Sequence, residues 1–297
     1  MKIGFIGCVQ SSQMALNTLL GMKPTGVDVV AVITKKESNF NSDYVNLSPL
    51  CKENNIPVHF EDAQNKERSL EFMKGHEPDV IFCFGWSYLL NQEFLTLPKL
   101  GVIGFHPAKL PKNRGRHPII WALALGLKET ASTFFKMDKG ADSGPILSQV
   151  NIDIDFTDDA GSLYKKIIST AEQQIINFTE QLYNGMAEFK SQDNCNANVW
   201  RKRSRQDGMI DWRMSAESIY NLIRALAKPY PGAEFIYKEN ILQVWNARIC
   251  SEKVPSNIEP GYILAIERND VLVKCADDSA LWILNVGIGA LKVGEYL

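Results

Sequence analysis

Four apolar runs, each too short for a buried helix, constrain this chain more than anything else in it: Lys2 to Ile6, Val27 to Ile33, Ile56 to Phe60 and Asp79 to Phe84. Continuous apolar runs of this length, rich in β-branched residues, suit strands covered on both faces, which is the situation of a parallel sheet. Helical periodicity fills the intervals. The pair Ser11-Ser12 can cap a helix reaching Leu20, and Lys66 to Met73 forms a helical stretch between the third and fourth runs. This β-α-β-α order predicts an α/β fold with an open, mostly parallel, Rossmann-like sheet and helices on both faces. Ligands in such sheets lie beyond the carboxyl ends of the strands. That rule directs attention to Phe84-Gly85-Trp86-Ser87-Tyr88 and to Phe105-His106.

Further along, Ile146, Val150, Ile152 and Ile154 alternate with polar residues and predict a half-exposed strand. Thr157-Asp158-Asp159 supplies a helix N-cap, and Leu163, Ile167, Ala171, Ile175, Phe178 and Leu182 make a helical stripe that reads as core packing. From Lys190 the composition turns polar. The expected organisation is therefore a first domain over 1–190, a linker over 191–204 and a smaller C-terminal domain over 205–297. Within that C-terminal domain a helix near Ser215 to Ala227 precedes short strands around Phe235, Ile241 to Ile249, Tyr262 to Ile266, Val271 to Lys274 and Leu281 to Leu284. Short strands punctuated by turns predict a β-rich domain with a small barrel or half-barrel.

Composition excludes several classes. A 45% apolar and 22% charged chain of 297 residues has a normal core, and a net charge of −2 argues against a surface built for bulk nucleic-acid binding. The six cysteines form no Cys-x-x-Cys pair, so they read as buried hydrophobes of a reducing compartment, with neither a disulfide frame nor a zinc site. No run reaches transmembrane length and the first residues are too short for a signal peptide, so a cytoplasmic location is expected. Gly4 and Gly7 do not complete a dinucleotide fingerprint, and no phosphate-binding loop of the Gly-Lys-Ser/Thr type is present. The four histidines show no metal-ligand spacing, so no metal is expected. His59 and His76 read as structural or solvated.

The chemistry concentrates in Gly104-Phe105-His106-Pro107-Ala108-Lys109-Leu110-Pro111-Lys112-Asn113-Arg114-Gly115-Arg116-His117-Pro118 and Gly140-Ala141-Asp142-Ser143-Gly144. A histidine delivered by an apolar strand onto a basic, proline-rich loop, with an aspartate in a turn of small residues downstream, suits acid-base work. The pattern resembles the formyltransferases that use 10-formyltetrahydrofolate. It is nearly Asn-x-His-x-x-x-Leu-Pro-x-x-Arg-Gly followed by Ala-Asp-x-Gly. Trp200 to Arg203, Asp207 to Trp212, the helix at 216–226 and Pro229 to Ala233 resemble the same family, so the resemblance covers nearly the whole chain.

That resemblance implies catalytic roles for His106 and Asp142. It places the pterin of the folate against Phe84, Gly85, Trp86, Ser87 and Tyr88 on one side and Ala141, Asp142 and Ser143 on the other, although Trp86 also reads as a core aromatic. One position departs from the family. Gly104 stands where the family has a catalytic Asn and has no side chain with which to hold the formyl oxygen, so either another group compensates or the protein is a weak or non-catalytic relative. Asn113, His117 and a water are the available substitutes, with His117 favoured. The segment from Lys35 to Tyr44 lacks the basic insertion of the methionyl-tRNA enzymes, which counts against tRNA. The expected acceptor is a nucleotide-linked amino sugar, in particular a UDP-linked 4-amino-4,6-dideoxy sugar of the pseudaminic acid type. Lys112, Asn113, Arg114 and Arg116 are its expected contacts, the two arginines serving equally as fasteners of the loop. The expected partners are that nucleotide sugar and folate, without nucleic acid or membrane, and a homodimer is allowed.

Overall fold

The computed structural model describes residues 1–38, 42–61, 66–287 and 291–297. Asn39, Phe40 and Asn41 of the segment compared with the tRNA enzymes lie outside the described residues. The chain divides into two compact units. One comprises Met1–Gly115, Ala131–Ile152 and Lys165–Val199; the other comprises Arg116–Thr130, Asp153–Tyr164 and Trp200–Leu297. The division is thus discontinuous in sequence. The segments 116–130 and 153–164 cluster with the C-terminal residues.

The first unit carries the expected sheet. Strands β1 (Lys2–Ile6), β2 (Asp28–Thr34), β3 (Val58–Phe60), β4 (Val80–Cys83) and β5 (Val102–His106) pair in parallel in the order β3-β2-β1-β4-β5. The short β6 (Arg114–Gly115) follows the loop after β5. Then β7 (Glu129–Lys136) pairs antiparallel with β5, and β8 (Ile146–Asp153) lies beyond it at the edge. Periodicity missed β7, because Thr130, Ala131, Ser132 and Thr133 are buried without being strongly apolar.

Helices α1 (Gln10–Gly21), α2 (Ser48–Glu53), α3 (Lys66–Gly75) and α4 (Gln92–Thr96) intervene. Ser12 lies inside α1 and not at its cap. Its hydroxyl accepts from the amides of Cys8 and Val9 and donates to the carbonyl of Phe84, joining the β1 and β4 ends. One face of the sheet is sealed by Phe5, Phe82, Phe84, Phe134 and Phe178, whose rings meet at centroid distances of 4.8–5.9 Å. Such ring pairs add about 0.5–1.5 kcal/mol each beyond simple burial.

In the second unit, α5 (Pro118–Ala124) packs on α7 (Ala216–Ala225), which is capped by Ser215 accepting from the amide of Ser218. Asp159 caps α6 (Ala160–Tyr183) through the amide of Ser162. After β9 (Val199–Trp200) the remaining strands are all antiparallel. β10 (Ala233–Tyr237) and β11 (Asn240–Val244) form a hairpin, while β12 (Ala247–Ile249), β13 (Ile263–Glu267), β14 (Asp270–Lys274) and β15 (Ala280–Ile283) make a four-stranded sheet in the order β12-β15-β14-β13. Among the described residues these strands pair as two ladders, the antiparallel β-rich part that the sequence predicts.

Arg224 fastens this unit. Its buried guanidinium donates to the carbonyls of Asp155 (3.0 Å) and Asp158 (2.8 Å) and to the side chain of Asn221 (2.8 Å). A hydrogen bond to a charged group contributes about 1.5–3 kcal/mol, and an orphaned buried carbonyl costs a similar amount. Arg224→Met should therefore destabilise the protein by about 3 kcal/mol, measured as a lowered urea midpoint followed by tryptophan fluorescence. An unchanged midpoint would count against this role.

Candidate active site

His106 is the last residue of β5 and is buried. Parallel pairing of β4 with β5 puts its strand end next to Phe84-Gly85, and antiparallel pairing with β7 sets it opposite Thr133. Its Nε2 lies 2.8 Å from the carbonyl oxygen of Asn113. A carbonyl only accepts, so Nε2 carries the proton and donates, and in the neutral ring the lone pair is on Nδ1. That atom faces Asp142 Oδ2 at 3.6 Å. The distance is an ion-pair distance and too long for a hydrogen bond, so Asp142 is placed to stabilise the imidazolium once Nδ1 takes a proton.

Asp142 is itself fixed. Its Oδ2 accepts from the amide of Gly115 at 2.9 Å, and its backbone is left-handed at φ 54°. The turn around it is closed by Asp138, whose Oδ1 accepts from the amide of Gly140 and the hydroxyl of Ser143. Gly144 is required there, because a Cβ at this position would sit 1.8 Å from the carbonyl oxygen of Lys136. Ala141 is exposed at the rim of the turn.

The loop after His106 is held from below. Thr133 donates to the carbonyl of Ala108, and Gln149 donates to the carbonyl of Leu110 and to Thr133. Arg114 is buried, and its guanidinium donates to Gln192 Oε1 (2.7 and 3.2 Å) and Asn194 Oδ1 (2.9 Å). Gln192 in turn donates to the carbonyls of Asp142 (2.9 Å) and Gly144 (2.7 Å). Asn198 receives the amide of Asn113 on its side chain and the amide of Arg114 on its carbonyl. The stretch expected as a linker over 191–204 therefore supplies three carboxamide residues that lock the loop and the Asp142 turn together. Sequence reasoning missed them. The signal was the density of carboxamides in Gln192-Asp193-Asn194-Cys195-Asn196, which becomes legible only once Arg114 is known to be buried.

Beside the ends of β1, β2 and β4 lies a cavity of about 300 Å³, lined by Ile6, Ile33, Glu61, Trp86, Tyr88 and the segment Leu89 to Asn91, with Phe94 behind. Its floor is apolar and two aromatic rings form a wall, 6.3 Å apart between centroids. Lys35 Nζ stands 5.2 Å from the Trp86 ring and 4.5 Å from the Tyr88 ring. Of the expected folate contacts, Phe84 has its ring in the core and offers only backbone, while Trp86 and Tyr88 line the cavity. Gly85 has φ 67° and Ser87 is half-buried. No group of three or more His, Cys, Asp or Glu side chains among the described residues could hold a metal ion.

Residues 1–179 match the formyl transferase family and residues 202–293 match the formyl transferase C-terminal domain. The chain belongs to the formyl transferase family. The bifunctional polymyxin resistance protein ArnA of Wigglesworthia glossinidia brevipalpis is 35% identical over 284 residues, covering 94% of this chain and 40% of that protein. This formyl transferase thus spans about two fifths of the length of that relative. Among solved structures, it is similar to WlaRD, a sugar 3N-formyl transferase crystallised with dTDP and 5-N-formyl-THF, at a TM-score of 0.74 and 18% identity, covering 96% of this chain and 97% of that one. The N-formyltransferase from Helicobacter canadensis, in complex with folinic acid and dTDP-3-aminofucose, gives a TM-score of 0.74 at 18% identity, covering 96% and 99%. Methionyl-tRNA formyltransferase from Clostridium thermocellum gives 0.60 at 20% identity, covering 85% and 95%. At these identities the structures establish the fold.

Three loop residues of this formyl transferase diverge in placement. Lys112 is exposed, Arg114 is consumed inside the loop, and His117 belongs to the second unit, where its backbone is left-handed at φ 55°. Asn113 meets His106 through its carbonyl and not its side chain. At Gly104 the space a Cβ would need is filled, with Met137 Cγ 2.9 Å and Phe135 Cζ 3.0 Å away. Gly104→Asn should therefore overpack the site, with about 1–3 kcal/mol lost in stability and no gain in formyl transfer. A more active, equally stable variant would refute this. Gln192→Leu should leave the Arg114 guanidinium poorly satisfied and release the Asp142 turn. It should cost about 1–3 kcal/mol and lower turnover, read by urea denaturation and initial rates.

Proposed function

We propose that this formyl transferase moves a formyl group from 10-formyltetrahydrofolate to the amine of a nucleotide-linked amino sugar. The observation that carries the reading is buried His106 at the end of β5 facing half-buried Asp142, with the lone pair of Nδ1 directed at the carboxylate. The family match supplies the reaction type. The relatives crystallised with folates and dTDP or a dTDP-amino sugar support the choice of donor and acceptor.

The residues present fit a folate. The cavity beside Trp86 and Tyr88 offers an apolar floor, aromatic walls and the polar groups of Glu61 and Asn91, as a flat heterocycle with a donor and acceptor edge requires. Bound there, the folate supplies an activated formyl carbon. The acceptor amine attacks that carbon as a free base, a tetrahedral oxyanion forms, and the C–N10 bond breaks as tetrahydrofolate leaves. The proton lost by the amine passes to His106 Nδ1, where Asp142 stabilises the resulting charge, and from there it is available to the leaving nitrogen. Gly104 contributes no donor to the oxyanion.

The acceptor to test first is a UDP-linked 4-amino-4,6-dideoxy sugar, with dTDP-linked 3-amino sugars second and methionyl-tRNA as a control. With the right acceptor the product gains the mass of one formyl group. His106→Ala and Asp142→Ala should each lower kcat/KM by roughly 10²–10⁴-fold while the circular dichroism spectrum is retained; near-normal rates in either variant would dismiss the assigned pair. Because the amine reacts unprotonated, kcat/KM should rise with pH as the substrate ammonium loses its proton. A flat profile with chemistry rate-limiting would contradict proton removal at this site.

A further inference from the structure

The ring of His106 has two oxygen acceptors competing for one proton. The carbonyl of Asn113 lies 2.8 Å from Nε2, and the carboxylate of Asp142 lies 3.6 Å from Nδ1. An ionised acceptor makes the stronger hydrogen bond, so a ring without the carbonyl would place its N–H on Nδ1, toward Asp142. Nδ1 would then already hold a proton and could not receive another. On the proposed mechanism, His106 accepts a proton only while the carbonyl of Asn113 keeps the ring hydrogen on Nε2. Whatever aims that carbonyl therefore decides whether the ring is a base on the side of Asp142.

The carbonyl of Asn113 belongs to the same peptide unit as the amide of Arg114. A trans peptide is planar, with its C=O and N–H pointing in opposite directions, so holding one end orients the other. Asn198 holds it. Its main-chain carbonyl accepts from the amide of Arg114 at 3.1 Å, and its Oδ1 accepts from the amide of Asn113 at 2.8 Å. Two consecutive amides of the loop thus end on one residue, across a left-handed Asn113 at φ 64°. A peptide whose N–H already donates is also polarised into a better acceptor, so the bond from Arg114 strengthens the one from Nε2.

We infer that Asn198 is a positioning residue, which sets the tautomer of His106 by clamping the Asn113–Arg114 peptide. Asn198, the clamped peptide, His106 and Asp142 all lie in the first unit. The effect of Asn198 on rate rests on the reading of His106 as proton acceptor; its effect on the tautomer does not. Asn198 is exposed, so its side chain can be changed without opening the core. A substitution there removes the acceptor for the Asn113 amide and leaves the main-chain carbonyl in place. Its consequence is a redistribution of the ring proton from Nε2 toward Nδ1.

The test is two-bond proton–nitrogen correlation spectroscopy of the full chain labelled with ¹⁵N at histidine, without ligand and at mildly alkaline pH, the His106 signals being identified by their loss in His106→Ala. The wild type should show the Nε2–H pattern. Asn198→Ala should give a mixture with Nδ1–H, and Asn198→Asp, which retains an oxygen acceptor, should keep the wild-type pattern. Single-turnover formyl transfer should fall roughly tenfold in Asn198→Ala and stay within about twofold of wild type in Asn198→Asp. The affinity for 5-formyltetrahydrofolate, measured by calorimetry, should be unchanged in both. A wild-type ring protonated on Nδ1, or an Nε2–H pattern unaltered in Asn198→Ala, would overturn the assignment even if the rate fell, because a slower variant would then report only a loosened loop. An equal shift of tautomer in Asn198→Ala and Asn198→Asp would overturn it too, since the acceptor oxygen would not be what matters. If the tautomer shifts in Asn198→Ala alone and the rate is kept, the positioning role stands and the reading of His106 as proton acceptor falls.

Discussion

A guanidinium withdrawn from water has to find oxygen atoms, and at Arg114 it finds the neutral carboxamides of Gln192 and Asn194. Neutral acceptors leave the charge of the arginine formally uncompensated, yet they impose geometry: a fork of N–H groups orders two side chains at once. Gln192 commits its own amide to the carbonyls of Asp142 and Gly144. A single chain of hydrogen bonds therefore runs from the basic loop through 192–194 to the turn that carries the Asp142 carboxylate. The positions of His106 and Asp142 relative to each other depend on it, because His106 is tied to the loop by the Asn113 carbonyl and Asp142 is tied to the same loop by the amide of Gly115.

The sheet explains why this arrangement sits where it does. Parallel strands β1, β4 and β5 end together, and reversal of direction at β7 turns the chain back beneath the loop, where Thr133 and Gln149 support it. Two left-handed non-glycine residues of this unit, Asn113 and Asp142, stand at the two points where the chain must present a backbone oxygen or a carboxylate inward. Each such conformation costs about 1–3 kcal/mol unless its surroundings enforce it. The surrounding hydrogen bonds supply that enforcement.

Much of this was legible in the residues, for identifiable reasons. The parallel strands announced themselves because both their faces are buried, and the α6 stripe from Leu163 to Leu182 because one helical face is. His106 and Asp142 stood out through the motif around them. What stayed hidden was relational. Nothing in the order of residues says that Arg114 turns inward, so the carboxamides at 192, 194 and 198 looked like solvated linker. Strand β7 was missed because its buried positions are threonine, serine and alanine.

Gly104, where the resemblance to the family implies an Asn, leaves no room for a side chain. Its neighbours Phe135 and Met137 already occupy the volume in which a side chain at 104 would start, so the position is closed by apolar atoms. An apolar fill there makes that wall worse at holding an oxyanion, since it supplies neither donor nor dipole. On the proposed mechanism, whatever stabilises the tetrahedral intermediate must then come from another direction: from the protonated ring of His106, from an amide of the loop, or from water entering beside the acceptor. The first has a physical advantage. A proton taken by Nδ1 produces a cation in a buried position next to the developing negative charge, so the acid-base step and the electrostatic stabilisation arise from one event. On that mechanism, a site with apolar packing at Gly104 leans harder on Asp142, whose carboxylate has to favour that cation without removing its proton.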